Sequence, residues 1–249
     1  MRALLLDALG TLVELEPPVE PLRRELRERL GLEVSADEAG AALRAEISYY
    51  HAHHDDASDR ERLADLRLRS AGALRAALVA TSREGDPLAD AVARKMAQLP
   101  LAPLVEALLA ALRFRPFAEV EEVLRAARER GWRLVVVSNW DVSLHDVLAE
   151  TGLAPLLDAV VTSAELGSSK PARAIFEHGL ELAGASAAQA LHAGDSVRYD
   201  VAGALAAGIE PLLLVREGTE PDAPVPDGVR TAATLRPLLD EIRSVSFST

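Results

Sequence analysis

Five short apolar runs limit what this chain can fold into: Ala3–Leu6, Leu134–Val137, Ala159–Val161, Ala190–Ala193 and Leu212–Val215. Their length and composition suit strands covered on both faces, which is the setting of a parallel sheet. Helical patterns separate the last four. Phe117–Arg130 puts Val120, Val123, Leu124 and Ala127 on one face, and Gly131 follows as a stop. Ala172–Leu182 and Val201–Ala207 show similar spacing. Strands alternating with helices predict an α/β fold with a doubly wound parallel sheet.

More than a hundred residues separate the first run from the second. They are not a loop, because Val19–Leu30, Ser35–Tyr50, Arg60–Val79 and Pro87–Gln98 read as amphipathic helices. Gly31 and the stretch Arg83 to Pro87 read as turns, and Val92–Leu112 reads as a helix returning to the main body. The expected organisation is a Rossmann-like core of residues 1–15 and 113–249, with a helical module of residues 16–112 inserted after the first strand. The tail beyond Gly218, with Pro221, Pro224 and Pro226, reads as a loop before a last helix near Leu235–Ile242.

The net charge of −12 repels phosphate backbones and argues against a nucleic-acid partner. The chain has no cysteine, which excludes disulfides, thiolate metal sites and a thiol nucleophile. The apolar run at the N-terminus is too short for a signal peptide, and Asp7 interrupts it. No stretch approaches the roughly 20 apolar residues of a membrane span. The expectation is a soluble cytoplasmic protein without membrane partners, monomeric or homodimeric. Its basic residues are nearly all arginine: Lys95 and Lys170 are the only lysines, and Asn139 is the only asparagine.

Polar groups follow four of the apolar runs at once. The first ends in Asp7, the second in Ser138-Asn139, the third in Thr162-Ser163 with Lys170 a few residues on, and the fourth in Gly194-Asp195-Ser196. In an open parallel sheet these ends share one edge, where ligands bind. A carboxylate there can act as a nucleophile. A lysine can neutralise an anionic substrate and keep a neighbouring carboxylate ionised. Two close carboxylates repel, so a divalent cation between them is stabilising, and oxygen ligands suit magnesium.

Leu4-Leu5-Leu6-Asp7-Ala8-Leu9-Gly10-Thr11-Leu12 resembles the first motif of the haloacid dehalogenase-like hydrolase superfamily. Val135–Asn139 resembles the second, Lys170-Pro171 the third, and Gly194-Asp195-Ser196 through Asp200–Ala204 the fourth, all in the family's order, and by the same resemblance the inserted module, residues 16–112, is a helical cap domain. The resemblance implies that Asp7 is a nucleophile and that Thr11, Ser138, Asn139 and Lys170 hold a small phosphorylated substrate. It implies that Asp7, the Leu9 carbonyl and Asp195 bind magnesium, and that Asp200 supports Lys170 or the metal shell.

One departure bears on the chemistry. Phosphatases of the family carry a second aspartate two residues after the nucleophile, and this chain has Leu9. Leucine cannot transfer a proton, and general acid–base help contributes about 10²–10⁴ in rate. An apolar residue there resembles the metal-independent 2-haloacid dehalogenases, whose leaving halide needs no proton. Those enzymes, however, have a small polar residue in place of Asp195 and a tyrosine in place of Phe176. Three readings follow: a phosphatase favouring good leaving groups, a catalytically impaired ligand-binding relative, and a dehalogenase.

The run His51, His53, His54, Asp55 and Asp56 invites a metal site, but its spacing suits a solvated turn between cap helices better. Trp140 either lines the crevice or packs beneath the cap. Arg23-Arg24 and the Arg60–Arg69 run read as exposed helix faces.

Overall fold

The structure, a computed structural model, describes residues 2–80 and 94–244. The chain divides into two compact units, Met1–Glu14 with Phe114–Thr249, and Leu15–Arg113.

The first unit is a parallel sheet. Its strands are β1 (Ala3–Leu6), β4 (Arg133–Ser138), β5 (Ala159–Thr162), β6 (Ala190–Gly194), β7 (Glu210–Leu214) and β8 (Arg230–Ala232), in the order β5-β4-β1-β6-β7-β8. β2 (Val13–Leu15) and β3 (Phe114–Pro116) form a separate two-stranded ribbon. The five apolar runs all became strands of the main sheet, as sheet strands with both faces covered require. Alternation along each strand sends residues to opposite layers. Leu4, Leu6, Leu134 and Val136 pack with Val120, Val123, Leu124 and Ala127 of α5 (Val120–Glu129). Leu5, Val135 and Val137 pack on the other face with Ile175, Phe176 and Leu180 of α8 (Arg173–Ala183). The unit is therefore a three-layer α/β fold of Rossmann type.

Register aligns the strand ends. Leu6 of β1 stands opposite Val136 of β4 and Ala193 of β6, so Asp7, Ser138 and Gly194 reach the same edge. Asp7 N–H donates to the Ala193 carbonyl at 2.9 Å, which fixes the backbone where β1 ends.

The second unit is helical. It contains α1 (Val19–Leu30), α2 (Ala36–His53), α3 (Arg60–Ala80) and α4 (Leu101–Ala111), around a core that includes Leu22, Leu26, Leu43, Leu74, Leu104 and Leu108. Ser35 and Glu38 form a capping box at the start of α2. Lys95 donates to the Leu30 and Gly31 carbonyls at 2.6 and 3.2 Å, which satisfies the C-terminal end of α1.

Several expectations need correction. The helix expected over Val92–Leu112 is broken: residues 94–98 are helical, and α4 begins anew after Pro100. Proline lacks the N–H that a continuous helix needs at that position. The turn expected from Arg83 to Pro87 and the start of the Pro87–Gln98 helix lie outside the described residues. The expected loop after Gly218 contains β8, which its short, polar sequence did not advertise. The helix expected over Val201–Ala207 opens with a wide π-turn over Val197–Val201, and the last helix runs Leu238–Ser244. His51 and His53 belong to α2 and not to a turn, and only His54–Asp56 form a 3₁₀ turn. No helix among the described residues is long and apolar enough to cross a membrane.

Candidate active site

At the edge of the sheet the polar residues meet. Lys170 is buried, and its Nζ donates to Asp7 Oδ1 at 2.5 Å and to Asp200 Oδ1 at 2.6 Å. Ser138 Oγ donates to the same Asp7 oxygen at 3.0 Å. Asp7, Asp195 and Asp200 each place a carboxylate oxygen within 4.8 Å of the others, and they are the one group of three potential metal ligands among the described residues.

Two glycines make this crowding possible. Gly10 has φ +78°, and a β-carbon there would come within 2.0 Å of Asp195 Oδ2. A β-carbon on Gly194 would lie 2.1 Å from Asp200 Cγ. Any other residue at either position would push a carboxylate out of the cluster.

The charges follow from these distances. Burial would raise the Asp200 carboxyl, but Lys170 and the His192 hydrogen bond hold it well below the usual carboxylate range. Burial would lower the Lys170 ammonium, yet Asp200 and Asp7 hold it above its ordinary value. For Asp7 burial wins over the pull of Lys170, and repulsion from Asp200 adds to it, so its carboxyl is raised. Asp195 reaches solvent, but desolvation of its carboxyl and the charges of Asp7 and Asp200 push it up to about 7. One ammonium thus serves three carboxylates.

That imbalance suits a hard divalent cation, whose charge would offset the repulsion between Asp7 and Asp195. Asp200 fits a ligand role less well. Its Oδ1 accepts from Lys170 and His192, and its Oδ2 accepts from the Ser196 N–H at 3.0 Å. Asp7 and Asp195 are left as the carboxylates that could hold such a cation. Leu9 sits in the turn just after β1 and is 39% exposed.

Other expected residues have different surroundings. Asn139 was expected to help hold the substrate. Its side-chain amide brackets the Lys170 main chain, donating to the Lys170 carbonyl at 3.0 Å and accepting from its N–H at 2.7 Å. Thr11 is fully buried, its Oγ1 has no hydrogen-bond partner among the described residues, and its carbonyl accepts from Arg216 at 2.6 Å. Trp140 packs in the core of its own unit, against Phe114. His53 stacks on Tyr49 with ring centroids 4.1 Å apart, and its Nδ1 is 2.8 Å from the Tyr49 carbonyl oxygen.

Two residues of the site were not anticipated. Arg216 follows β7 and donates to the Gly10 and Thr11 carbonyls and to Glu119, tying down the loop after β1. His192 lies inside β6 and contacts Asp200. A histidine within an otherwise apolar strand was a visible signal, whereas nothing in the sequence marks Arg216 among so many arginines.

A fold with a buried aspartate after its central strand, a serine at the end of the next strand and a lysine between two carboxylates defines a class. The model of the haloacid dehalogenase-like hydrolases matches residues 1–208, and the chain belongs to that family. It is 43% identical over 110 residues to haloacid dehalogenase-like hydrolase domain-containing protein 3 of Bos taurus, covering 44% of this chain and 43% of that protein. It is 34% identical over 107 residues to glyceraldehyde 3-phosphate phosphatase of Methanothermobacter thermautotrophicus, covering 43% of this chain and 47% of that protein. Each match thus spans less than half the length of the curated relative. The L-2-haloacid dehalogenase of Xanthobacter autotrophicus shares the fold, with a TM-score of 0.63 at 16% identity over 99% of this chain and 100% of that chain.

Proposed function

We propose that the protein is a magnesium-dependent phosphatase of small phosphorylated molecules, working through an aspartyl-phosphate at Asp7 and slowed by Leu9. The observation that carries this reading is the convergence of Asp7 and Asp195 beside a single ammonium, Lys170. A site for halide displacement has no use for the second carboxylate. The phosphatase relative is consistent with the reading.

In this reading an Asp7 carboxylate oxygen attacks phosphorus, and the bond to the leaving oxygen breaks with its electron pair on the leaving group. Lys170 balances the charge that builds between Asp7 and the phosphoryl oxygens, and Ser138 orients the nucleophile. Water then cleaves the aspartyl-phosphate and restores the Asp7 carboxylate. Bound magnesium would supply positive charge to the phosphoryl oxygens, held by Asp7, Asp195 and the Leu9 carbonyl. Asp200 keeps Lys170 in place, and Asn139 does so from the main-chain side. The helical unit serves as the cap that selects the substrate.

Leu9 cannot protonate a leaving alkoxide. Substrates whose leaving group needs no proton, such as acyl phosphates, are therefore the expected ones. Leu9 is also the observation that favours a second reading, dehalogenation of a 2-haloacid.

A panel of acetyl phosphate, alkyl phosphates and 2-haloacids, each with and without magnesium, separates the readings. Phosphate release from acetyl phosphate that requires magnesium supports the phosphatase. Halide release without magnesium would replace it with the dehalogenase, and no turnover of any compound would favour an impaired binding relative. Leu9→Asp should raise turnover of alkyl phosphates by about 10²–10⁴ and change acetyl phosphate turnover much less. No gain would overturn the account of what Leu9 costs.

A further inference from the structure

Every residue of β6 but one is small or aliphatic. His192 is fully buried there, between β1 and β7, opposite Leu5 and Pro211. Burying an imidazole is unfavourable unless its polar atoms are bonded, and an aliphatic side chain would fill this layer without that cost. Its ring meets Phe176 edge-on, with centroids 5.0 Å apart. Its Nε2 lies 3.0 Å from Asp200 Oδ1, and its Nδ1 has no hydrogen-bond partner among the described residues.

These contacts assign the proton. Asp200, held ionised by Lys170, can only accept, so Nε2 carries the hydrogen and donates. A hydrogen on Nδ1 would be a buried donor without an acceptor, so Nδ1 is a bare lone pair. The geometry thus calls for a hydrogen on Nε2 and none on Nδ1.

The same Asp200 oxygen accepts from Lys170, and Lys170 donates onward to Asp7. Four side chains therefore form one bonded series: His192, Asp200, Lys170 and Asp7. Lys170 is shared between two carboxylates, so whatever tightens its hold on Asp200 loosens its hold on Asp7. The His192 N–H satisfies part of the Asp200 Oδ1 demand and fixes the carboxylate's rotation, and the Ser196 N–H fixes the other oxygen.

We infer that His192 is a positioning residue of this site: its Nε2–H fixes Asp200 and thereby sets where the Lys170 ammonium lies between Asp200 and Asp7. The kinetic consequence rests on the phosphatase reading; the structural one does not.

The chain's two lysines and six histidines make the test direct. In the full-length protein, long-range proton–nitrogen NMR should show His192 as a neutral Nε2–H ring. With ¹⁵N-lysine, Lys170 should give a protected ammonium signal distinct from that of exposed Lys95. His192→Leu should shift or abolish the Lys170 signal. His192→Gln, which offers an amide N–H near the same place, should retain it. With acetyl phosphate, His192→Leu should lose about 10- to 100-fold in kcat with KM within about twofold, the scale of one hydrogen bond to a charged group. His192→Gln should recover most of that loss. A simple core-filling role would lower the melting temperature of the Leu variant and leave the Lys170 signal in place. That result, or an Nδ1–H or doubly protonated His192 in the parent protein, would overturn the inference. The parent measurement stands even where the Leu variant fails to fold. Should the parent turn over no phosphate compound while His192→Leu still moves the Lys170 signal, the phosphatase reading fails and this inference stands.

Discussion

The two units of the chain bury carboxyl groups in different ways. In the sheet unit Asp7 and Asp200 are buried against Lys170, and each bonds to it. In the helical unit Glu46 is 4% exposed, yet it makes no ion pair among the described residues. Burial pushes its carboxyl up to about 7, and the nearby Ser70 hydroxyl, itself without a well-formed hydrogen bond, offsets only part of that. A buried acid stays charged near neutral pH where a cation and N–H donors compensate it, as at Asp200, and Glu46 has no cation beside it among the described residues. The sheet unit places its buried lysine there and still has more carboxylate than ammonium. That surplus is the reason to read its edge as a cation and anion site, and the lone Glu46 as a feature of packing.

Removing the cation should have the largest effect. Lys170→Met leaves two buried carboxylates uncompensated, and breaking a buried pair in this way costs about 3–5 kcal/mol of stability. Denaturant unfolding should show that loss, together with the loss of acetyl phosphate turnover. A Lys170→Met protein as stable as its parent would break the comparison at its root.

Glu46 should respond in the opposite sense. Its carboxyl is raised from an ordinary 4.5 to about 7, so between those values the folded protein binds more protons than the unfolded chain. This contribution to stability is therefore intact below about pH 4.5 and lost as pH rises through about 7. Glu46→Gln removes the titration. Thermal melts should show the variant more stable than its parent above pH 7, by up to about 3 kcal/mol, with the advantage shrinking toward acid pH. Equal pH dependence in parent and variant would show that Glu46 is compensated after all.

The other lysine should give the smallest change. Lys95 is exposed and only satisfies the last carbonyls of α1. Lys95→Met should cost no more than about 1 kcal/mol in unfolding experiments and leave turnover unaltered. A catalytic defect there would mean that the two lysines are not as different as their surroundings make them.

Much of this architecture was legible beforehand. Five of the six strands of the main sheet were visible because burial on both faces forces continuous apolar runs. β2, β3 and β8 were not, because each has three residues, and β3 and β8 have no fully buried position. The meeting of Asp7, Ser138, Lys170, Asp195 and Asp200 could be anticipated because parallel register brings strand ends to one edge. The partners that hold them could not. That Asn139 grips the Lys170 main chain and that Arg216 holds the Gly10–Thr11 backbone depend on contacts across 31 and about 206 residues of sequence, which no local pattern encodes. His192 stands out as the one polar side chain of an apolar strand, but a histidine there reads as core until its neighbour across the turn is seen to be Asp200.

The most direct test of the central claim is to look for the covalent intermediate. The protein would be mixed with acetyl phosphate and magnesium, quenched in acid, and its peptides mapped by mass spectrometry. A phosphoryl increment is expected on the peptide carrying Asp7, lost under mild base and absent from Asp7→Asn. Turnover at the parent rate by Asp7→Asn, or a phosphoryl group carried on another residue, would contradict the claim.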